Sequence, residues 1–146
     1  MISCPLPLPA KDRILLGHGS GGRLSAELLR DIFLPVFQSP ILGRLDDQAV
    51  LEAGGVRLAF TTDSFVVKPL FFRGGDIGSL AVYGTINDLA MGGAEPLWLS
   101  AAFILEEGLE TATLRRIAES MGRAAESSGV RSWQQASQSP SARTDG

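Results

Sequence analysis

Hydrophobic and polar positions follow different periods along the 146-residue chain, and each period predicts a different element. After the turn at Gly54-Gly55, apolar residues alternate with polar or small ones over residues 56–61, and a short strand precedes the turn, so residues 48–62 predict a β-hairpin. Residues 97–105 are apolar almost without interruption, and this predicts a strand that is central in its sheet. Apolar residues at intervals of three and four predict helices over residues 24–36 and 111–129.

Another helix, predicted from Asp76 to Met91, carries an acid on its apolar side. This side is formed by Ile77, Ala81, Gly84 and Asp88. A carboxylate on a half-buried face is costly unless a cation or several hydrogen-bond donors meet it. The helix therefore predicts a partner for Asp88: a cation shared with a second carboxylate, or an arginine near the helix end.

The hairpin directs two further acids toward one place. Antiparallel pairing about Gly54-Gly55 brings Asp47, before the first strand, beside Asp63, after the second. Together with Asp88 these acids make three carboxylates, and like charges held close together need a cation such as Mg²⁺ between them. The alternative is that Asp63 caps a turn and takes no part in a site.

The glycine-rich loop at residues 17–22 is open to two interpretations. Such a loop before a helix can bind a phosphate through its backbone N–H groups, or it can serve as a flexible hinge. Residues 1–12 are rich in proline and predict an extended arm. Residues 131–146 contain no branched aliphatic side chain, and we expect a disordered, non-homologous tail there.

Composition argues against several classes of partner. A net charge of −3 without a basic patch predicts binding neither to nucleic acid nor to an anionic membrane. The sequence has no apolar run long enough for a membrane span or a signal peptide. Cys4 is the single cysteine, so no internal disulfide forms, and a reducing, cytoplasmic location is expected.

Five motifs stand out along the chain: His18–Gly22, Thr61–Val67, Gly74–Gly78, Gly84–Pro96 and Phe103–Gly108. Together they resemble the N-terminal half of the hydrogenase maturation protein HypE. That family belongs to the superfamily of aminoimidazole ribonucleotide (AIR) synthetase, selenophosphate synthetase and thiamine-monophosphate kinase. The resemblance covers residues 13–130 and implies a PurM-like α+β domain, with a mixed sheet, helices on one face and a barrel across a homodimer.

The resemblance also implies a site and an activity. It implies that Asp47, Asp63 and Asp88 bind Mg²⁺ and that Thr61, Thr62 and Asn87 lie beside them at the ATP phosphates; it supplies no catalytic residue. The implied reaction is ATP-dependent dehydration of an S-carbamoyl group on a C-terminal cysteine to a thiocyanate, the source of cyanide for nickel–iron hydrogenase. The implied partners are a HypF-like carbamoyltransferase and a HypC–HypD scaffold.

The chain departs from the family after Val130. The family continues with a strand, a Gly-Asp-Thr-Lys motif, a second α/β domain and a terminal cysteine, whereas Arg131-Ser132-Trp133-Gln134 follow here. We therefore expect a truncated chain that keeps part of the Mg–ATP site and is inactive alone, with apolar surface exposed on the helices at 24–36 and 114–125. Two alternatives stay open, a non-catalytic dimerisation or binding fragment and another ATP-using enzyme of the superfamily; Phe65–Phe72 and Phe103–Gly108 argue against the latter.

Overall fold

A computed structural model describes residues 13–19 and 21–130, and the backbone of residues 132–138. The predicted N-terminal arm and residues 139–146 lie outside the described residues. Two compact units make up the chain, residues 1–45 and residues 46–146. The domain predicted over residues 13–130 spans both.

The first unit is helical, and its apolar side chains are half-buried or exposed. After a 3-10 turn at Leu16–Gly19 it contains α1 (Arg23–Leu28), a π-helical turn (Leu29–Phe33), α2 (Leu34–Phe37) and a 3-10 turn at Leu42–Arg44. None of the described residues in these elements is buried, and Val36 is 71% exposed. The helix predicted over residues 24–36 is confirmed. The predicted exposure is confirmed for Ile32 and Val36, whereas Leu24 and Leu28 are half-buried.

The second unit begins with the predicted hairpin. Strands β1 (Ala49–Ala53) and β2 (Val56–Phe60) pair antiparallel, with Ala49 opposite Phe60 and Ala53 opposite Val56. The two-residue turn between them has positive φ at both positions, 59° at Gly54 and 79° at Gly55. Positive φ at both central residues is the requirement of a type I′ turn, which explains the pair of glycines.

A short ribbon, β3 (Phe71–Phe72) and β4 (Gly75–Asp76), leads into helix α3 (Ile77–Met91). Asp76 caps this helix: its Oδ1 accepts hydrogen bonds from the backbone N–H groups of Gly78 and Ser79, while the Ser79 hydroxyl lies 3.1 Å from the Asp76 N–H. This reciprocal capping box satisfies donors that the first helical turn leaves unpaired.

The chain continues through β5 (Trp98–Ile104), α4 (Thr111–Ser127) and β6 (Ser132–Gln138). Helices α3 and α4 pack together around a core formed by Val82, Leu99, Ile117, Met121, Ala124 and Ala125. The helices approach closely at Gly78, where an added Cβ would lie 2.6 Å from the Ile117 carbonyl oxygen. The prediction of exposed apolar surface on α4 is therefore wrong, because α3 covers it.

The buried side of α3 also differs from the prediction. Gly78, Val82 and Leu89 are its buried residues. The predicted stripe was offset by one position, because α4 packs on the side centred on Gly78 and Val82. Asp88, next to Leu89, is half-buried rather than part of the core.

Helix α4 ends in a Schellman motif. The Val130 N–H donates to the Ala125 carbonyl at 3.1 Å and the Gly129 N–H to the Glu126 carbonyl at 3.2 Å, with φ of 76° at Gly129. The predicted end near Gly129 is confirmed. The helix begins at Thr111, directly after its N-cap, Glu110.

Strand β5 differs from its predicted central position. Within the described residues it pairs with β6 alone, in parallel, from Trp98 opposite Ser132 to Ile104 opposite Gln138. The disorder expected for residues 131–146 is therefore not what the backbone of 132–138 shows. Ladder hydrogen bonds join backbone groups, so the edge of β5 can pair with a strand that offers no branched aliphatic side chains.

Candidate magnesium and nucleotide site

Thr61 joins three parts of the second unit. Its hydroxyl oxygen lies 3.0 Å from the Asp47 carbonyl oxygen and 3.2 Å from Oδ2 of Asp88. Asp47 precedes β1, Thr61 follows β2 and Asp88 lies in the last turn of α3. The open end of the hairpin therefore meets the C-terminal end of the helix at this hydroxyl.

Local structure explains why these residues meet. The pairing of Ala49 with Phe60, continued beyond the strands, places Gln48 opposite Thr61 and Asp47 opposite Thr62, so the Thr61 side chain lies one position from the Asp47 carbonyl. On α3, Leu89 is buried and Asp88 is its half-buried neighbour. The hydroxyl has one proton to share between two acceptors, so the Asp88 carboxylate keeps most of its acceptor capacity for another partner.

Electrostatics at this end of α3 favour a cation. The last carbonyl groups of a helix carry partial negative charge, and Asp88 adds a carboxylate beside them. The described ion pairs, Arg23–Glu27 and Arg30–Asp31, involve neither Asp88 nor any other predicted site residue. The arginine partner considered for Asp88 is therefore absent from the described residues, and the Thr61 hydroxyl takes its place.

The other predicted ligands are arranged differently. The Asp63 carboxylate accepts a hydrogen bond from the Ser64 backbone N–H at 2.8 Å. Asp63, Thr62 and Asn87 are all exposed. No three acidic, histidine or cysteine side chains in the described part of the chain lie close enough together to hold a metal ion.

The structure thus brings together the Asp47 backbone, Thr61 and Asp88, and it does not gather three carboxylates. Asp47 and Asp63 are exposed, and of the three carboxylates only that of Asp88 lies at the Thr61 contact. The groups that do meet carry oxygen atoms that can bind a metal ion: a carbonyl, a hydroxyl and a carboxylate. This set fits Mg²⁺, which binds oxygen, takes one or two protein carboxylates and completes its octahedron with water and phosphate. The assignment of the three acids as ligands stays a prediction.

A second contact, which no sequence pattern predicted, lies at the same end of α3. The side-chain amide of Gln48 lies against Gly92, where it occupies the space that a Cβ on residue 92 would need. Its Oε1 is buried and makes no hydrogen bond among the described residues. One signal in the sequence was available: a single glycine suffices to end a helix, and two follow Met91.

The pKa of one described acid departs from its ordinary value. Burial raises the pKa of Asp76, but hydrogen bonds from Ser120 and from the Ser79 and Gly78 N–H groups, with the charge of Arg116, outweigh burial and lower it. Asp76 caps the start of α3, whereas the candidate site lies at the end of that helix. The perturbed acid is thus structural.

The glycine-rich loop belongs to the other unit and shows local contacts. The Leu15 N–H donates to Nδ1 of His18 at 2.9 Å, and the Ser25 hydroxyl donates to the His18 carbonyl at 2.6 Å. These bonds tie the loop to its own neighbours along the chain. Neither the phosphate-binding nor the hinge interpretation is tested by them.

Three comparisons place the chain among known proteins. The model of the family "AIR synthase related protein, N-terminal domain" matches residues 45–134. Carbamoyl dehydratase HypE of Rhodobacter capsulatus is 58% identical over 123 residues, which cover 82% of this chain and 36% of that protein. The chain therefore spans little more than a third of the length of this curated relative.

Two solved structures resemble the fold. One is a HypE–HypF complex, with a TM-score of 0.67 and 44% identity, covering 79% of this chain and 37% of the matched chain. The other is HypE in complex with ATP, with a TM-score of 0.52 and 49% identity, covering 89% and 39%. The resemblance stated from the motifs and the PurM-like α+β fold are confirmed by these matches. No helix in the described residues has the length and apolarity to span a membrane.

Proposed function

We infer the function of this chain from one premise: it belongs to the family of AIR synthase related proteins, through their N-terminal domain. We propose that it forms the Mg–ATP-binding N-terminal part of a HypE-type carbamoyl dehydratase, which acts in hydrogenase maturation. The names of the relatives and the complex of a HypE with ATP support this proposal. The observation that carries it is the Thr61 hydroxyl held between the Asp47 carbonyl and the Asp88 carboxylate.

Each proposed site residue has a stated role. Asp47, Asp63 and Asp88 are the proposed magnesium ligands, and Thr61, Thr62 and Asn87 the proposed neighbours of the nucleotide phosphates. Thr61 orients Asp88 through its hydroxyl, which leaves carboxylate lone pairs for the cation. Bound Mg–ATP would supply the phosphoryl group that activates a carbamoyl oxygen toward dehydration to a thiocyanate.

Partners follow from the same proposal. The structure of a HypE has been solved in complex with HypF, and we propose a HypF-like partner for this chain. From the family resemblance we also propose a HypC–HypD scaffold as a partner and a cytoplasmic location. A homodimer is proposed as well. Strand β5 supports it, because Trp98 and Ile104 are 66% and 91% exposed and lie on the opposite face from the buried Leu99.

Calorimetry on the 146-residue chain tests the site. We expect weak, magnesium-dependent ATP binding, and a loss of at least about tenfold in affinity for Asp88→Asn because the half-buried end of α3 loses its charge for the cation. Asp31→Asn, an exposed acid in the first unit, should bind ATP as the wild type does.

Tight ATP binding that persists in a chelator would contradict the magnesium site, as would unchanged affinity in the Asp88 variant.

A further inference from the structure

Both residues of the Gln48–Gly92 contact lie close in sequence to a residue of the candidate site. Gln48 directly follows Asp47, and Gly92 lies four residues, about one helical turn, after Asp88. We propose that Gln48 is a positioning residue: its side chain, seated on Gly92, sets the distance between Asp47 and Asp88 at which Mg–nucleoside triphosphate binds. This inference rests on the proposed function and names a residue that supports that same site.

The first step is steric. At Gly92 φ is −92° and ψ is 5°, a backbone conformation open to residues other than glycine. Gly93, with φ of 71°, is the glycine that the helix end requires. Position 92 therefore needs a glycine for another reason, and that reason is the amide of Gln48, which an added Cβ would displace.

The second step concerns the buried oxygen. Oε1 of Gln48 makes no hydrogen bond among the described residues although it is shielded from solvent. A buried acceptor without a donor is unfavourable for folding, so a glutamine in this place has no evident benefit for stability. An aliphatic side chain of similar length would fill the space without that penalty, so packing stability alone does not account for a glutamine at position 48.

The third step is mechanical. The Thr61 hydroxyl connects the Asp47 carbonyl with the Asp88 carboxylate, and the Gln48–Gly92 contact joins the same two segments one residue and one turn further on. Two contacts fix the relative position of two segments better than one, since a single contact acts as a pivot. Gln48 thus acts through Asp47 and need not touch the nucleotide.

Four variants of the full chain test the proposal, with Mg²⁺ titrated at constant ATP in a calorimeter. Gly92→Ala and Gln48→Ala should each raise the Mg²⁺ concentration at half-saturation by about fivefold or more, as expected for a pair in contact. The double variant should need no more Mg²⁺ for half-saturation than Gln48→Ala alone. The shortened side chain at position 48 leaves room for the new methyl group. Gly122→Ala, where an added Cβ meets nothing within 4 Å, is the matched control and should titrate as the wild type does.

A structural role and a positioning role give different results. Positioning predicts a shifted magnesium dependence with a melting temperature close to that of the wild type for Gln48→Ala, whereas a purely structural role predicts a lowered melting temperature. Should Gly92→Ala fail to fold, Gln48→Ala, which only removes atoms, decides the question. Wild-type magnesium dependence in the Gln48→Ala variant overturns this inference alone, whereas a wild-type chain that does not bind Mg–ATP overturns the proposed function together with it.

Discussion

Helix α4 and the helical stretch Arg23–Phe37 follow similar apolar patterns, yet they differ in what covers them. Ile117 and Met121 of α4 are 6% and 7% exposed. In the first unit Ile32 is 50% exposed, and none of the described helical residues there is buried. An apolar period predicts that a helix has an apolar face, but only a complementary surface in the chain decides whether that face is buried.

The complementary surface of α4 is specific. Gly78 lets α3 approach the Ile117 carbonyl, Val82 is fully buried between the elements, and Asp76 caps α3 through its side chain. The first unit has no such arrangement among its described residues: Phe33 and Phe37 stack mainly on each other, at 5.8 Å between ring centroids. Gly22, the N-cap of α1, provides no side-chain hydrogen bond.

The largest effect should come from removing a buried side chain. Ile117→Ala should lower the free energy of unfolding by about 2–5 kcal/mol, because it leaves a cavity between α3 and α4. Ile32→Ala should change it by less than about 1 kcal/mol. Urea unfolding followed by circular dichroism measures both free energies. Similar losses in the two variants would contradict the difference in burial between the two helices.

A smaller effect is expected where the two helices touch. Gly78→Ala places a methyl group against the Ile117 carbonyl and Met121, so we expect a loss of about 1–3 kcal/mol from overpacking. Gly122→Ala, on α4 with open space around it, should stabilise the helix by about 0.5–1 kcal/mol. The melting temperatures of the two variants should thus shift in opposite directions. An unchanged melting temperature for Gly78→Ala would mean that the helices can move apart without loss of stability.

The smallest effect concerns the charged cap. Because its pKa is lowered in the folded state, the Asp76 carboxylate contributes stability that is fully present above about pH 4, the value for the unfolded chain, and is lost as pH falls through the folded pKa. Asp76→Asn keeps a capping acceptor, so at pH 7 the loss should be only about 0.3–1 kcal/mol.

The pH profile is the sharper measurement of that cap. In Asp76→Asn the fall in stability below about pH 4 should be shallower than in the wild type, whereas Asp31→Asn, an exposed acid, should leave the profile unchanged. Identical profiles in the wild type and Asp76→Asn would contradict an ionised cap.

Local patterns predicted the elements well. The glycine pair at 54 and 55 specified the hairpin and its register, and the end of α4 at Gly129 followed from its glycine. Both depend on backbone conformations that few residues other than glycine adopt, so the sequence states them directly. The family resemblance, which is based on five other motifs, is also confirmed.

Features that depend on contacts far apart in the chain were harder to predict. The predicted stripe on α3 is offset by one position because α4 packs against Gly78, and a glycine does not contribute to an apolar period. The acids at 47, 63 and 88 were predicted to converge, and the structure joins only the segments of Asp47 and Asp88, through Thr61. Gln48 was missed because its importance lies in a glycine 44 residues away.

The two-residue turn at Gly54-Gly55 has a consequence at the opposite end of the hairpin. Each residue added to the turn would slide one strand along the other, and a slide of a single residue would also reverse which side of the ribbon each side chain occupies. Thr61 would then no longer face the end of α3. The length of this turn, at the opposite end of the hairpin, therefore determines which side-chain oxygen contacts Asp88.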